Sequence, residues 1–281
     1  MSTYCCSAAS KVISRTQRLT VTRCSTCGTL WGDHVAATTG RYWDESYIPD
    51  DFAAALRARR ITQAGLVLTA LSSSGATEPV LDYGTGQGAF LSAALASGLD
   101  AFGCDLDLGA PLTLAPADAD RVLQLIGPWQ MPDGRAWGTV VMLDVLEHNP
   151  DPVTFMQNLG CGFLVLKLPT ATGPAIRLAR LAARFGHPAL LEQLFLVGEN
   201  FPHRWLATRK GVTRIATRSG WQVSSHRKLV EVGTELPARM RAASSMAPAR
   251  WFLFVAGAGL AAIARFWSDT DLTVLTRSKN V

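Results

Sequence analysis

From residue 79 to residue 168 the chain alternates short, unbroken apolar runs with stretches of helical periodicity. The runs at 79–83, 100–104, 122–126, 138–143 and 162–168 predict strands, because a brief apolar run bounded by turn residues suits a strand covered on both faces. Segments 88–97 and 152–159 predict helices between them. Such alternation argues for a parallel sheet with crossover helices. Upstream, Asp50 or Asp51 caps a predicted helix that runs to about Leu71 and ends at Ser72-Ser73-Ser74-Gly75. Phe52, Leu56, Ile61, Leu66 and Leu68 give it mixed helical spacing. Downstream, 171–200 reads as a helical insertion, with Ile176, Leu178, Leu181 and Ala182 on an apolar face and Arg177, Arg180 and Arg184 opposite. A helix at 208–219 precedes Gly220-Trp221 and a strand near 222–229; after a second insertion at 231–268, 271–276 reads as a last strand. Near the amino end, Leu19-Thr20-Val21-Thr22-Arg23 alternates as a short hairpin strand does.

The first strand of the alternating region ends in Val80-Leu81-Asp82-Tyr83-Gly84-Thr85-Gly86-Gln87-Gly88. Glycines at a strand-to-helix turn let the backbone approach a ligand closely. Asp105 closes the next run, 21 residues after Gly84, where an acidic side chain accepts hydrogen bonds from ribose hydroxyls. The Gly-x-Gly-x-Gly spacing, with Asp82 ahead of it, differs from the Gly-x-Gly-x-x-Gly of pyrophosphate binders. It favours a nucleoside cofactor without a pyrophosphate. The plainer alternative is an ordinary strand-turn-helix with Asp82 and Asp105 as solvated loop acids. A second motif, Asp144-Val145-Leu146-Glu147-His148-Asn149-Pro150-Asp151-Pro152, follows the fourth strand and so falls on the ligand-binding edge of an open α/β sheet. His148 is a candidate general base, because imidazole titrates near neutral pH. The alternative is that Glu147 and His148 only shape the loop and cap the following helix.

Together these segments resemble class I S-adenosylmethionine-dependent methyltransferases of the small-molecule type, and the likeness covers about residues 50–230. The resemblance implies an α/β fold with a Rossmann-like sheet, mostly parallel with its last strand antiparallel. A small Cys-bearing module would occupy 1–48 and the methyltransferase domain 49–281, with helical insertions at about 171–200 and 231–268. It further implies that Asp82, Gly84, Gly86 and Gly88 line the methionine part of S-adenosylmethionine, that Asp105 holds the ribose, and that Asp144 belongs to the cofactor-binding signature. Trp129 is a candidate to stack on adenine, or else simple packing surface. Relatives often carry an acid near the adenine and an Asp opening the fourth strand; here stand Gly127-Pro128-Trp129-Gln130 and Trp137-Gly138. Pro202-His203-Arg204-Trp205 resembles the segment beside the acceptor pocket, which makes His203 a second acid–base candidate, with Glu199 to orient it, or a structural histidine.

Cys24-Ser25-Thr26-Cys27-Gly28 is a metal-binding knuckle, and 17 residues separate Cys6 from Cys24, as between the halves of a zinc ribbon. The first half departs from that pattern, since Thr3 stands where a cysteine belongs and Cys5 adjoins Cys6. Cys5, Cys6, Cys24 and Cys27 are the candidate ligands, with His34 as another way to complete the shell; a metal-free hairpin is the alternative. The module followed by Tyr42-Trp43 and Tyr47 resembles the degenerate zinc-ribbon-like N-terminus of a small-molecule methyltransferase subgroup.

Composition narrows the partners. With 281 residues, 48% of them hydrophobic and 17% charged, the chain can bury a full core. Its formal charge of +5 suits an anionic partner, yet no block of five like charges occurs, which disfavours nucleic acid. The 14 uncharged residues Trp251 to Ala264 are too few to span a bilayer, though contact with a membrane surface is compatible with them. Clustered cysteines in a chain of this length point to a reducing, cytoplasmic setting. The leading expectation is methyl transfer to a small-molecule acceptor at O, N or C. A ribosomal RNA methyltransferase and a non-catalytic, methyltransferase-like partner subunit are the alternatives.

Overall fold

A computed structural model of the chain describes residues 5–6, 9–35, 50–108, 114–132, 135–229 and 270–278. Tyr42, Trp43, Tyr47, the insertion at 231–268 and the apolar stretch within it lie outside the described residues. The strands are β1 (Ser10–Arg15), β2 (Leu19–Cys24), β3 (Leu30–His34), β4 (Val80–Tyr83), β5 (Ala101–Asp105), β6 (Val122–Gln124), β7 (Thr139–Leu143), β8 (Phe163–Pro169), β9 (Trp205–Leu206), β10 (Trp221–Leu229) and β11 (Thr270–Arg277). The helices are α1 (Asp50–Ser74), α2 (Ala89–Ala96), α3 (Pro152–Gln157), α4 (Pro174–Arg184), α5 (Ala189–Leu194) and α6 (Arg209–Arg218). The chain divides into two compact units.

One unit comprises Arg60–Leu168, Ile215–Arg227 and Leu272–Val281. Its sheet runs in the order β10-β11-β8-β7-β4-β5-β6. β5, β4, β7 and β8 pair in parallel along the middle, and β6 joins β5 in the same sense. Every residue of β4 and β5 is buried, as the unbroken apolar runs predict for strands covered on both faces. Hydrogen bonds between Ser224 and Thr276 and between His226 and Thr273 place β11 antiparallel to β10, so the expected reversal at the last strand is present. α1 turns Gln63, Ala64, Val67, Ala70 and Leu71 inward and leaves Ile61 and Leu66 exposed. The buried stripe is thus offset from the expected spacing: Val67 and Leu71 carry it, with Ala64 and Ala70 between, in place of Ile61 and Leu66.

The other unit comprises Met1–Arg59, Pro169–Arg214 and Lys228–Asp271. Its antiparallel sheet has the order β1-β2-β3-β9, so a strand from residue 205 completes a sheet begun at residue 10. Alternation in β2 turns Leu19 and Val21 into a core shared with Leu30, Ile176, Ala179, Leu191, Phe195 and Leu206. α4 meets this core through Ile176 and Ala179, three residues apart on one face, while Leu181 is 54% exposed. That corrects the apolar face expected to include Leu181: a residue five positions from Ile176 lies on the far side of a helix.

Candidate active site

The turn after β4 is built by left-handed glycines. Gly84 has φ 78°, and a side chain there would also lie 2.5 Å from Val145 Cγ2, so the position excludes any Cβ on two counts. Gly86 has φ 53°, but a Cβ there would meet nothing within 4 Å, so this stretch of backbone faces open space. Gly88, also left-handed, starts α2.

The structure brings Asp105 to this turn. Its Oδ2 accepts a 2.8 Å hydrogen bond from Gly86 N, and its Oδ1 accepts from Leu106 N at 2.7 Å and Asp107 N at 3.3 Å. Parallel pairing sets the approach, since Tyr83 lies opposite Cys104 and Gly84 N donates to Cys104 O at 2.8 Å. Asp82 is buried beneath the same turn and accepts a 2.7 Å bond from Thr85 Oγ1. Burial pushes the Asp82 carboxyl up to about 7; the Thr85 bond opposes that rise and the charge of Asp105 adds to it. Asp105 is raised as well, chiefly by burial, against the backbone donors that hold its charge. Neither is the solvated loop acid of the plainer alternative. Arg60 of α1 steadies the turn by donating from Nη1 to Gln87 Oε1 at 3.2 Å.

Asp144 follows β7 in a left-handed conformation, φ 59°, uncommon for a residue with a side chain. Its Oδ2 pairs with Lys167 Nζ of β8, and its N–H donates to Lys167 O at 3.1 Å. Lys167 is 2% exposed and Asp144 47%, so the ammonium is buried and the carboxylate reaches solvent. The sequence reading missed Lys167, although a lone charge inside Leu164-Val165-Leu166-Lys167-Leu168 was a legible signal. Beyond Asp144, Leu146–His148 forms a single 3-10 turn with His148 half-buried and Glu147 buried. Asp151, not Glu147 or His148, caps α3: its carboxylate accepts from Thr154 N at 3.1 Å and from Thr154 Oγ1 at 2.7 Å. Trp129, left-handed at φ 63°, sets its ring edge-on to Phe155 at 5.7 Å, and Phe155 stands edge-on to Tyr83 at 5.6 Å.

In the other unit, His203 Nδ1 lies 2.7 Å from Leu194 O. A carbonyl only accepts, so Nδ1 carries the hydrogen of this bond. The orienting partner is thus a backbone carbonyl, where the sequence suggested Glu199. Cys5, Cys6, Cys24 and Cys27 are all buried and unbridged, with their sulfur atoms within 4.8 Å of one another. Four thiolates on one zinc stand roughly 3.8 Å apart at Zn–S bonds of about 2.3 Å, so the cluster fits that ion. The adjacency of Cys5 and Cys6 is no obstacle. Cys27 Sγ lies 3.4 Å from Cys5 Sγ and 3.2 Å from Thr29 Oγ1, and the bond with Cys5 holds the Cys27 thiol down at about 4. His34 does not complete this shell; its Nε2 bonds to His203 O at 2.9 Å.

A seven-stranded sheet with a glycine turn and two carboxylates at its carboxyl edge defines a class I, S-adenosylmethionine-dependent methyltransferase. A family model described as "Methyltransferase domain" matches residues 54–226, and the chain belongs to that family. No curated protein matches it. Among solved structures, it is similar to a Galdieria sulphuraria protein provisionally described as a sarcosine dimethylglycine methyltransferase: TM-score 0.51, 11% identity, covering 79% of this chain and 87% of that one. A structure of the Haloferax volcanii Trm112 methyltransferase activator in complex with a methyltransferase aligns at TM-score 0.50 and 17% identity, covering 82% and 98%. The Burkholderia thailandensis 1,6-didemethyltoxoflavin-N1-methyltransferase aligns at TM-score 0.48 and 14% identity, covering 97% and 100%.

Proposed function

We propose that this methyltransferase acts on a small-molecule acceptor, with Asp82, Gly84, Gly86 and Gly88 around the methionine end of the donor, Asp105 on its ribose and Asp144 completing the edge of the site. The observation that carries the reading is the bond from Gly86 N to Asp105 Oδ2, which joins the glycine turn and the later carboxylate in one site. When bound, S-adenosylmethionine supplies a methyl group on positively charged sulfur, open to in-line displacement. Asp105 then has three backbone donors fixing its carboxylate, one on Oδ2 and two on Oδ1, which leaves the second lone pair of Oδ2 for a ribose hydroxyl. The open face above Gly86 admits the donor against the backbone. Trp129, already held by Phe155, offers a ring face for adenine.

An acceptor that reacts through O–H, N–H or an acidic C–H needs a base to take its proton as the new bond to carbon forms. His203, whose ring the Leu194 carbonyl holds in place, is one candidate for that role, and His148 is the other. Zinc, held by Cys5, Cys6, Cys24 and Cys27, is a structural ion in this reading, because four thiolates leave no open position. The burial of all four thiols accords with a reducing, cytoplasmic setting, and among the described residues no helix is long and apolar enough to cross a membrane.

Titration calorimetry with S-adenosylhomocysteine tests the cofactor reading. Wild type binds, and Asp105→Ala weakens binding at least tenfold, since bonds to a charged group are worth about 1.5–3 kcal/mol. A wild-type protein indifferent to the ligand would overturn the assignment. For the base, pH profiles of turnover in His203→Asn and His148→Asn show which variant loses the acidic limb.

A further inference from the structure

β8 reads Phe163-Leu164-Val165-Leu166-Lys167-Leu168-Pro169, and its one charged side chain is only 2% exposed. The parallel register sets Lys167 beside Leu143, the last residue of β7, so its ammonium arrives where the chain leaves the sheet at Asp144. There it pairs with Asp144 Oδ2. The backbone repeats the link, since Asp144 N donates to Lys167 O at 3.1 Å. A left-handed residue is thus held both by its own N–H and through its side chain. Folding alone gives little reason for this lysine. Taking an ammonium out of water is costly, and an apolar side chain of similar volume commonly serves a fold about as well as a buried ion pair does.

What the pair does achieve is a fixed carboxylate that still reaches solvent. Asp144 keeps 47% of its side chain exposed, and among the described residues only its Oδ2 is engaged, by Lys167. An ionised carboxylate accepts at both oxygens, so Oδ1 is left for a ligand. An exposed side chain loses rotamer freedom when it binds; here the lysine has removed that freedom beforehand. The neighbouring residue locates the oxygen. Val145 lies against the glycine turn, with Cγ2 2.5 Å from where a Cβ on Gly84 would stand. Asp144 is therefore beside the turn proposed above for the methionine end of the donor. That end carries one carboxylate and one ammonium. With Asp105 bonded to the turn at Gly86 and Asp144 next to it, a further carboxylate is unfavourable there and an ammonium favourable.

We propose, resting on the donor site described above, that Lys167 is a positioning residue for donor binding: its buried ammonium holds Asp144 so that Oδ1 accepts from the ammonium of the donor's amino-acid end. Asp144 makes the contact, and Lys167 acts only through it.

Calorimetry with three probes on the full chain tests this. S-adenosylhomocysteine carries both charged groups, its decarboxylated form keeps the ammonium alone, and methylthioadenosine lacks the whole amino-acid end. In Asp144→Asn, affinity for the first two falls about tenfold, as for a lost charge-assisted bond, and that for methylthioadenosine stays unchanged. Lys167→Met shows the same pattern with a loss of about threefold or more. The double variant binds the first two no more weakly than Asp144→Asn, because a residue that acts through another adds nothing once the other is gone. Methylthioadenosine also reports whether each variant has folded. The proposal is overturned if either single variant binds all three probes as wild type does, or if the losses add in the double variant. It is overturned equally if only S-adenosylhomocysteine weakens, which makes the carboxylate the group concerned, or if methylthioadenosine weakens as much, which makes the pair a support of the fold. In each of these cases wild type still binds the nucleoside probe and the cofactor reading stands; wild type that binds no probe overturns both.

Discussion

Two buried acids beneath one turn, Asp82 and Asp105, strain the site, and the sign of that strain is testable. Asp82 has a folded value of about 7 against an ordinary 3.8, mainly because burial disfavours its charged form. A carboxyl raised on folding contributes stability in full below its unfolded value, and that contribution is lost as pH climbs through the folded one. The melting temperature of the ligand-free protein is therefore expected to fall between about pH 4 and pH 8, and Asp82→Asn should flatten the fall. A flat wild-type profile would remove the strain from the account. Lys167 and Asp144 make the complementary case. Losing Asp144 takes the paired carboxylate from a buried ammonium, whereas losing Lys167 frees a carboxylate that already reaches water. Asp144→Asn should destabilise by about 1–3 kcal/mol and Lys167→Met by clearly less in urea titration, the usual cost of breaking a buried pair being discounted for the exposed acid. Equal losses would show the pair to be symmetric and the burial argument mistaken.

At the scale of elements, legibility followed the source of each element's stability. β4, β5, β7 and β8 are covered on both faces, so their apolar runs announce them in the sequence alone. β1, by contrast, is exposed at Ser10, Lys11 and Val12 and owes its place to pairing with β2. β9 is two residues long and is a strand only because β3 lies beside it. A partner some 175 residues distant leaves no local trace. The same holds for the cysteine cluster: ribbon spacing pointed to Cys24 and Cys27, but only the fold shows that Cys5 and Cys6 both reach them. Thr208 then links the knuckle to α6, donating to Cys27 O at 2.6 Å while capping the helix. Metal removal should consequently weaken more than the loop. Chelator treatment, or Cys24→Ser, is expected to lower the melting temperature by several degrees and to release about one zinc per chain by elemental analysis, because a closed thiolate site contributes folding energy directly. Unchanged melting with no metal released would leave the hairpin metal-free.

For the whole molecule, the open matter is whether a +5 chain serves a small acceptor or a ribosomal RNA. Total charge does not decide it; arrangement does, because salt sensitivity counts the phosphates neutralised at once. An enzyme gripping structured RNA through eight phosphates loses affinity with a log–log salt slope near −6, taking about 0.7 per contact for single strands. An enzyme that meets RNA through only three or four dispersed cations would give no steeper than about −3 on the same basis. Filter binding of a ribosomal RNA fragment between low and moderate salt should therefore show weak association with a shallow slope. A slope beyond about −6 at submicromolar affinity would mean that a broad basic face engages RNA, and the small-molecule reading would give way to an RNA methyltransferase with the same cofactor site.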